Sequence, residues 1–281
     1  LIGGAASTQF EFKANDYEEN RHFLMSQFFR KSYNKAMGSL PAVNSLVNIL
    51  RIEVWVTNRT GVTTETRDIV ALADLGEKIP YNYPQTPGPD SLPSNSVNGL
   101  YQTLVSDPSS RRSAQVTSKL ASLGLKPVQD FEKTFARKLG PNDYYFNPQV
   151  GFISLNQPLQ ADEVLGVAFQ YNYNGKILQV GEFSQDIPPD TTAIIAGNPK
   201  VLFLKLLKAT SQRTTLPIWD LMMKNVYALR TREGGYIASI QPTDFKLNVL
   251  YEEPSLGSKR YLPEGPKSGI PLISVLNLDR L

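Results

Sequence analysis

The residues best suited to acid–base chemistry are three pairs of adjacent carboxylates. They are Glu18/Glu19, Asp162/Glu163 and Glu252/Glu253. Neighbouring side chains point to opposite faces of a strand and diverge by about 100° on a helix. No adjacent pair therefore forms the facing dyad that glycoside hydrolysis requires. Two distant carboxylates could still meet in the fold, so a hydrolase remains an open hypothesis.

The other residue types that carry catalysis are scarce. His22 is the only histidine and the chain has no cysteine, which excludes multi-histidine metal sites, thiolate sites and cysteine nucleophiles. A triad built on His22 would need a placed nucleophile and an orienting group, and no serine lies in a G-x-S-x-G elbow. The glycine pairs Gly3-Gly4 and Gly234-Gly235 fit no phosphate-binding motif. We expect no catalytic residue, no metal and no cofactor.

Three aromatic residues are candidates for contact with a partner. In the strand predicted at 49–57, one face carries Leu50, Ile52, Val54 and Val56. Trp55 alternates with these residues and should project from the opposite face. Either a second layer covers it, or its ring is exposed to a partner or a sugar. Tyr81 and Tyr83 lie in a proline-rich stretch and could supply further stacking faces.

Charge and hydropathy exclude two classes of protein. The net charge of +3 is too close to balance for a dedicated nucleic-acid binder. Segment 111–140 holds seven basic and two acidic residues, and we interpret it as a solvated face rather than a site for acidic lipid or nucleic acid. No run of 18 apolar residues predicts a transmembrane helix, although the weak pattern of a transmembrane strand cannot be told from that of a soluble one.

The periodicity of apolar residues predicts a β-rich chain with helical insertions. Helices are expected over 16–38, in a short pair, and from Pro217 onward. The first helix of the pair carries Val116, Leu120 and Leu123 and ends at Gly124, and the second carries Phe131, Phe135 and Leu139 and ends at Gly140. The proline-rich stretch 80–108 is expected to be an exposed loop or linker with a short element at 100–105.

Strands are expected at 49–57, 68–75, 165–173, 176–183, 201–207, 245–251 and 272–278. Asn174-Gly175 is the strongest of the turn signals, because a type I′ turn needs positive φ at both central positions. It predicts a hairpin with Tyr171 opposite Leu178 and Phe169 opposite Val180.

These elements predict an α+β fold of antiparallel β-rich lobes, since strict βαβ alternation is missing. We divide the chain into residues 1–79 (a helix and a first β-rich lobe), 80–140 (a proline-rich exposed loop and the helix pair) and 141–281 (a second β-rich lobe with one helix). The chain starts at Leu1 rather than at a methionine and stops in an apolar run, so we expect an internal piece of a longer protein.

Many of these segments together resemble one family. The chain is similar, in collinear order, to the SprA/Sov family of cell-surface proteins of Bacteroidota. The segments that carry the resemblance are NRHFL (20–24), QFFR (27–30), RIEVWVTN (51–58), TRDIVALADLGE (66–77), FNPQVGFISLN (146–156), LQADEVLGVAFQ (159–170), VGEF (180–183), LPIWDLMMKNVY (216–227), LYEEP (250–254) and LNLDRL (276–281).

The resemblance implies a function without catalysis. Members of this family are very large outer-membrane β-barrels that form the protein-conducting channel of type IX secretion and support gliding motility. It implies an outer-membrane or cell-surface location for the parent protein. The implied partners are a small outer-membrane barrel protein, a periplasmic plug protein and exported cargo. The alternative hypothesis is an independent adhesion or carbohydrate-binding β-sandwich that uses Trp55, Tyr81 and Tyr83.

Overall fold

The computed structural model describes residues 9–39, 41–85, 88–89, 91–230, 234–237, 240–241, 243–253 and 255–276. Its contacts divide the chain into two compact units. The large unit comprises Tyr17–Ala36 and Ser45–Val226, and the small unit comprises Leu1–Asp16, Met37–Asn44 and Tyr227–Leu281. Gly3-Gly4 and the end of the strand predicted at 272–278 lie outside the described residues.

The described chain is mainly β with helical insertions, as the periodicity predicts. The elements of the large unit are β1 (His22–Leu24), α1 (Gln27–Ala36), β2 (Val47–Thr57), β3 (Thr66–Leu72), α2 (Leu100–Val105), α3 (Ser113–Ser122), β4 (Phe131–Lys138), β5 (Tyr144–Asn147), β6 (Phe152–Leu155), β7 (Leu165–Tyr173), β8 (Lys176–Val180), α4 (Thr191–Ile195) and β9 (Leu202–Lys208), with 3₁₀ turns at Pro108–Arg111 and Pro217–Leu221. The small unit contains β10 (Tyr251–Glu253), β11 (Gly257–Lys259) and α5 (Leu272–Val275).

The main sheet closes on itself. Its order is β2-β4-β3-β9-β7-β8, and β2 also pairs with β7, so five strands form a ring and β8 extends it along β7. β3 and β9 are parallel, and the other pairs are antiparallel. These strands come from all three of the regions that composition separates, so the sheet does not divide at residue 79 or 140.

Trp55 projects into the interior of the closed sheet. Trp55 is only 1% exposed and pairs across strands with Gly166. A Cβ placed on Gly166 would lie 3.4 Å from the Cβ of Ala71, on a strand that is not its neighbour, so both positions face the interior. Small residues opposite a large one are what a closed sheet of few strands requires.

A β-bulge changes the predicted face of one residue. Leu50 lies between Ile49, which pairs with Tyr171, and Arg51, which pairs with Gln170. The extra residue therefore leaves the ladder, and Leu50 is 49% exposed instead of sharing the apolar face of Ile52.

The predicted hairpin is confirmed together with its register. Asn174 and Gly175 have φ of 49° and 87°. Tyr171 pairs with Leu178 and Phe169 with Val180. The Asn174-Gly175 turn was sufficient to predict the register, because both strands directly adjoin the turn in the chain.

Two predicted helices in the large unit are wrong in part or in full. The helix expected over 16–38 is confined to α1, because His22–Leu24 form β1, which pairs with β6 in the second sheet, of order β1-β6-β5. The second helix of the pair, expected to end at Gly140, is instead the strand β4. Its marker residues Phe131, Phe135 and Leu139 are spaced by four, a spacing that suits a helix and a strand equally.

Three predictions near the end of the chain are also corrected. Helix beyond Pro217 is limited to the 3₁₀ turn Pro217–Leu221, the strand expected at 245–251 is reduced to β10 at Tyr251–Glu253, and the strand expected from Leu272 begins instead with α5.

The short element expected at 100–105 is confirmed as α2, but the proline-rich stretch 80–108 is not exposed throughout. Val97, Asn98 and Leu104 are buried. Asn98 Nδ2 donates to the carbonyl oxygens of Asp74 and Glu77 at 2.7 and 3.0 Å. Part of the stretch therefore packs against the rest of the large unit. The buried hydrogen bonds of Asn98 fix it there, and composition alone does not reveal them.

Candidate functional site

Of the three aromatic residues named as partner contacts, Tyr81 is the exposed one. The indole Nε1 of buried Trp55 donates to Glu53 Oε2 at 3.3 Å. Tyr83 is 9% exposed, and its hydroxyl lies 2.9 Å from Thr103 Oγ1. The rings of Trp55 and Tyr83 therefore offer no exposed stacking face, whereas Tyr81 is 51% exposed.

Tyr81 lines a cavity of about 240 Å³ in the large unit. Five parts of the chain build its wall: the start of α1, residues 73–81 after β3, the segment before β4, β9, and the 3₁₀ turn Pro217–Leu221 with the residue that precedes it. The lining residues are Gln27, Ala73, Asp74, Glu77, Ile79, Pro80, Tyr81, Gln129, Lys205, Leu216, Pro217, Ile218 and Leu221. Apolar walls with a few converging polar groups are the usual composition of a ligand site.

Asp74 positions the rim of this cavity. Its buried carboxylate accepts hydrogen bonds from the backbone N–H of Tyr81 at 2.7 Å and from those of Asn82 and Tyr83 at 2.9 Å each. One side chain thus fixes three successive residues of the proline-rich stretch. Charge-assisted bonds of this kind are stronger than neutral ones, so the place of Tyr81 is set by Asp74.

A buried ion pair forms part of the cavity wall. Lys205 on β9 is 1% exposed, and its Nζ lies 2.8 Å from Glu77 Oε1. The ammonium also donates to the carbonyl oxygen of Ala73, and Glu77 Oε1 accepts the backbone N–H of Gln27 at 3.1 Å. Buried charges persist only when paired and hydrogen-bonded in this way. The parallel pairing of β3 with β9, which sets Leu72 beside Lys205, brings the two partners together.

A second buried network anchors α2 and the 3₁₀ turn Pro108–Arg111 that follows it. Arg111 binds both carboxylate oxygens of Glu182, and the Tyr101 hydroxyl donates to Glu182 Oε1 at 2.9 Å. The same carboxylate accepts the backbone N–H of Phe203 at 2.9 Å. Burial, with the adjacent Glu182 charge, raises the pKa of Tyr101 to about 12. The network ties α2 and the turn Pro108–Arg111 to β9.

Lys208 is another buried cation that sequence reasoning missed. Its ammonium donates to the carbonyl oxygens of Gln160, Ala161 and Glu163 at 3.0, 2.8 and 2.8 Å. Burial lowers its pKa, against the attraction of Glu163. The signal was present in the sequence, because Lys205 and Lys208 interrupt an otherwise continuous apolar strand, where a lysine needs a buried partner.

His22 stands between two polar side chains. Its Nδ1 lies 2.8 Å from Ser154 Oγ and its Nε2 lies 3.0 Å from Glu18 Oε2. These are the groups of a nucleophilic triad. Ser154, however, lies within β6, which pairs with β1 on one side and β5 on the other. The N–H groups beside it serve the sheet rather than an oxyanion hole, so we assign this arrangement to structure.

The basic segment 111–140 is largely paired. Arg111 binds Glu182, and four ion pairs or hydrogen bonds engage others: Arg112 with Asp190, Lys119 with Asp107, Lys138 with Glu65, and Lys133 with the carbonyl oxygen of Ser113. These contacts favour the interpretation of a solvated, internally compensated face.

Among the described residues, no group of three or more His, Cys, Asp or Glu side chains is arranged to hold a metal ion. The helices in that part of the chain are too short or too polar to cross a membrane. Comparison with protein-family models gives no match, and comparison with curated proteins gives none at a significant level.

Proposed function

We propose that this chain is a non-enzymatic segment of the protein-conducting translocon of type IX secretion, in the outer membrane or at the cell surface. The observation that carries the proposal is the collinear resemblance to the SprA/Sov family along nearly the whole chain. Its partners would be a small outer-membrane barrel protein, a periplasmic plug protein and exported cargo.

The places of the resembling segments in the fold support the proposal. Segments 51–58, 66–77 and 159–170 supply most of β2, β3 and β7 in the closed sheet, and 146–156 supplies β6 and much of β5. A resemblance concentrated on elements that pair with one another is what a shared fold requires, because scattered surface matches would not preserve a core.

Three resembling segments also meet at one cavity. Gln27 belongs to segment 27–30, Asp74 and Glu77 to segment 66–77, and Ile218 to segment 216–227. The resemblance therefore includes polar and apolar residues that line a common wall.

Depletion of the parent protein in the bacterium that encodes it tests the proposal. We expect proteins with type IX export signals to accumulate in the periplasm, while the amounts of other outer-membrane proteins stay unchanged. Fractionation and immunoblotting measure both. Normal surface display of the cargo in fully depleted cells would contradict the proposal.

The absence of catalysis has its own test. The purified chain should show no turnover in a broad screen of esters, peptides and glycosides. Turnover that disappears in Ser154→Ala or His22→Ala would assign catalysis to the arrangement around His22 and overturn the non-enzymatic part of the proposal. The carbohydrate-binding alternative has lost support, because Trp55 and Tyr83 are buried.

A further inference from the structure

The cavity lined by Tyr81 has an excess of negative charge. Two carboxylates, Asp74 and Glu77, and one ammonium, Lys205, line it. Lys205 is paired with Glu77 at 2.8 Å. Asp74 forms no ion pair with a lysine or arginine in the described part of the chain. Its carboxylate is stabilised there by hydrogen bonds from backbone N–H groups.

A third carboxylate lies near this wall but is not among its lining residues. Asp130 follows the lining residue Gln129 and is 3% exposed. Its Oδ2 accepts hydrogen bonds from Asn82 Nδ2 and the backbone N–H of Lys126 at 2.8 and 2.7 Å. Its Oδ1 is buried and has no hydrogen-bond partner among the described atoms. A buried carboxylate oxygen without a donor is costly, so Asp130 adds an incompletely compensated carboxylate to this region.

The wall also has an apolar part. Ile79, Leu216, Ile218 and Leu221 line the cavity beside the polar groups. Its volume of about 240 Å³ is many times what one water molecule needs. Lysine and arginine carry their charge on a methylene stem that packs well against such surfaces.

We propose that this cavity binds an ammonium or guanidinium group carried on an aliphatic stem. The carboxylates attract the charged head and the apolar wall receives the stem. The group can come from a free alkylamine or from a basic side chain of a partner polypeptide. The proposal goes beyond the translocon function and does not depend on it, because it rests on the cavity alone.

Binding of matched probes to the full purified chain tests the charge requirement. N-acetylarginine amide and N-acetylcitrulline amide have the same shape, but only the first is charged. We expect the arginine probe to bind about tenfold more tightly or better, since hydrogen bonds to a charged group are the stronger ones. Calorimetry or ligand-observed NMR gives the two affinities.

Two further probes distinguish the sources of the group. Agmatine represents a free amine, and a blocked Gly-Arg-Gly peptide represents a partner side chain. Tighter binding of agmatine assigns the site to a small molecule, and tighter binding of the peptide assigns it to a polypeptide. Either result supports the proposal when the uncharged analogue of the tighter ligand, with a ureido group in place of the guanidinium group, binds more weakly.

Charge variants of one lining residue locate the binding. Gln129 is half-buried on the wall. Gln129→Lys should weaken the arginine probe about tenfold and Gln129→Glu should strengthen it, because the added charge lies next to the bound cation. Gln102→Lys and Gln102→Glu, made at an exposed position outside the lining, are the matched controls and should leave the affinity unchanged.

The proposal is overturned by any of three results. Equal affinity for the arginine and citrulline probes removes the charge requirement. Failure of every cationic probe to bind at millimolar concentration removes the site. Equal effects of the Gln129 and Gln102 variants place the binding elsewhere.

Discussion

Gly166 shows how much the closed sheet depends on one missing side chain. It pairs with Trp55, and a Cβ at this position would meet Leu204 Cδ1 at 3.1 Å and Leu204 Cβ at 3.2 Å. Leu204 is itself completely buried. Close packing leaves little room for it to move, so a side chain at residue 166 would crowd the interior at Leu204.

We predict that Gly166→Ala lowers the free energy of unfolding by about 1–3 kcal/mol, the usual cost of overpacking a core. Gly140→Ala is the control, because its Cβ would meet only Asp143 Oδ2 at an ordinary 3.5 Å. Urea denaturation followed by tryptophan fluorescence measures both variants. Equal midpoints for the two variants would mean that the interior is looser than described.

Tyr101 gives a prediction about pH. Its pKa is about 12 in the folded chain, against an ordinary value of 10.0, so the folded state holds this proton more tightly than the unfolded state. The stability that the protonated hydroxyl contributes is therefore fully present below pH 10 and is lost as the pH rises towards 12. Tyr101→Phe should remove this part of the loss of stability at alkaline pH.

The measurement is the free energy of unfolding of both proteins between pH 9 and 11.5, a window that begins below the ordinary tyrosine pKa and ends below the raised one. The difference between wild type and Tyr101→Phe should shrink as the pH rises. A difference that stays constant over the window would show that burial and the Glu182 charge do not raise the pKa of Tyr101.

At the scale of elements, the β7–β8 hairpin carries both completely buried and exposed side chains. Phe169 is completely buried and contacts the Phe29 ring of α1, with centroids 5.8 Å apart. Ile177, on the neighbouring strand β8, is 59% exposed. These two positions of the same hairpin should therefore respond very differently to truncation.

We predict that Phe169→Ala costs about 3–5 kcal/mol, as expected for a large aromatic removed from a core. Ile177→Ala should change stability by no more than about 0.5 kcal/mol. Chemical denaturation of the two variants checks the difference. Similar losses in both would mean that the hairpin packs through the other face or is not anchored to the core.

At the scale of the whole molecule, the chain consists of two units with separate internal contacts. The closed sheet, the second sheet and the cavity all belong to the large unit. Both tryptophans, Trp55 and Trp219, also lie there, so tryptophan fluorescence reports on this unit alone.

We predict that residues 17–226, produced alone, fold cooperatively and retain the tryptophan emission and near-ultraviolet circular dichroism of the full chain. The reason is that a domain with its own core can fold without its neighbours. A fragment with the emission of solvent-exposed indole would show instead that the large unit needs residues outside this range.

The sequence by itself determined the features that neighbouring residues control. Asn174-Gly175 predicted the hairpin and its register, because a two-residue turn leaves one way to align the strands beside it. Alternation predicted the opposite orientation of Trp55 relative to Val54 and Val56. The overall β-rich character followed from the same period of two, apart from the four-residue spacing in β4 that fits both kinds of element.

Only the tertiary structure decided what covers each face and which distant residues meet. The burial of Trp55 follows from the pairing of β2 with β7, which closes the sheet. The cavity exists because parallel pairing of β3 with β9 places Lys205 beside Glu77, and because Asp74 draws Tyr81 to the same wall. Such contacts depend on the pairing of strands far apart in the chain, and local periodicity contains no information about that pairing.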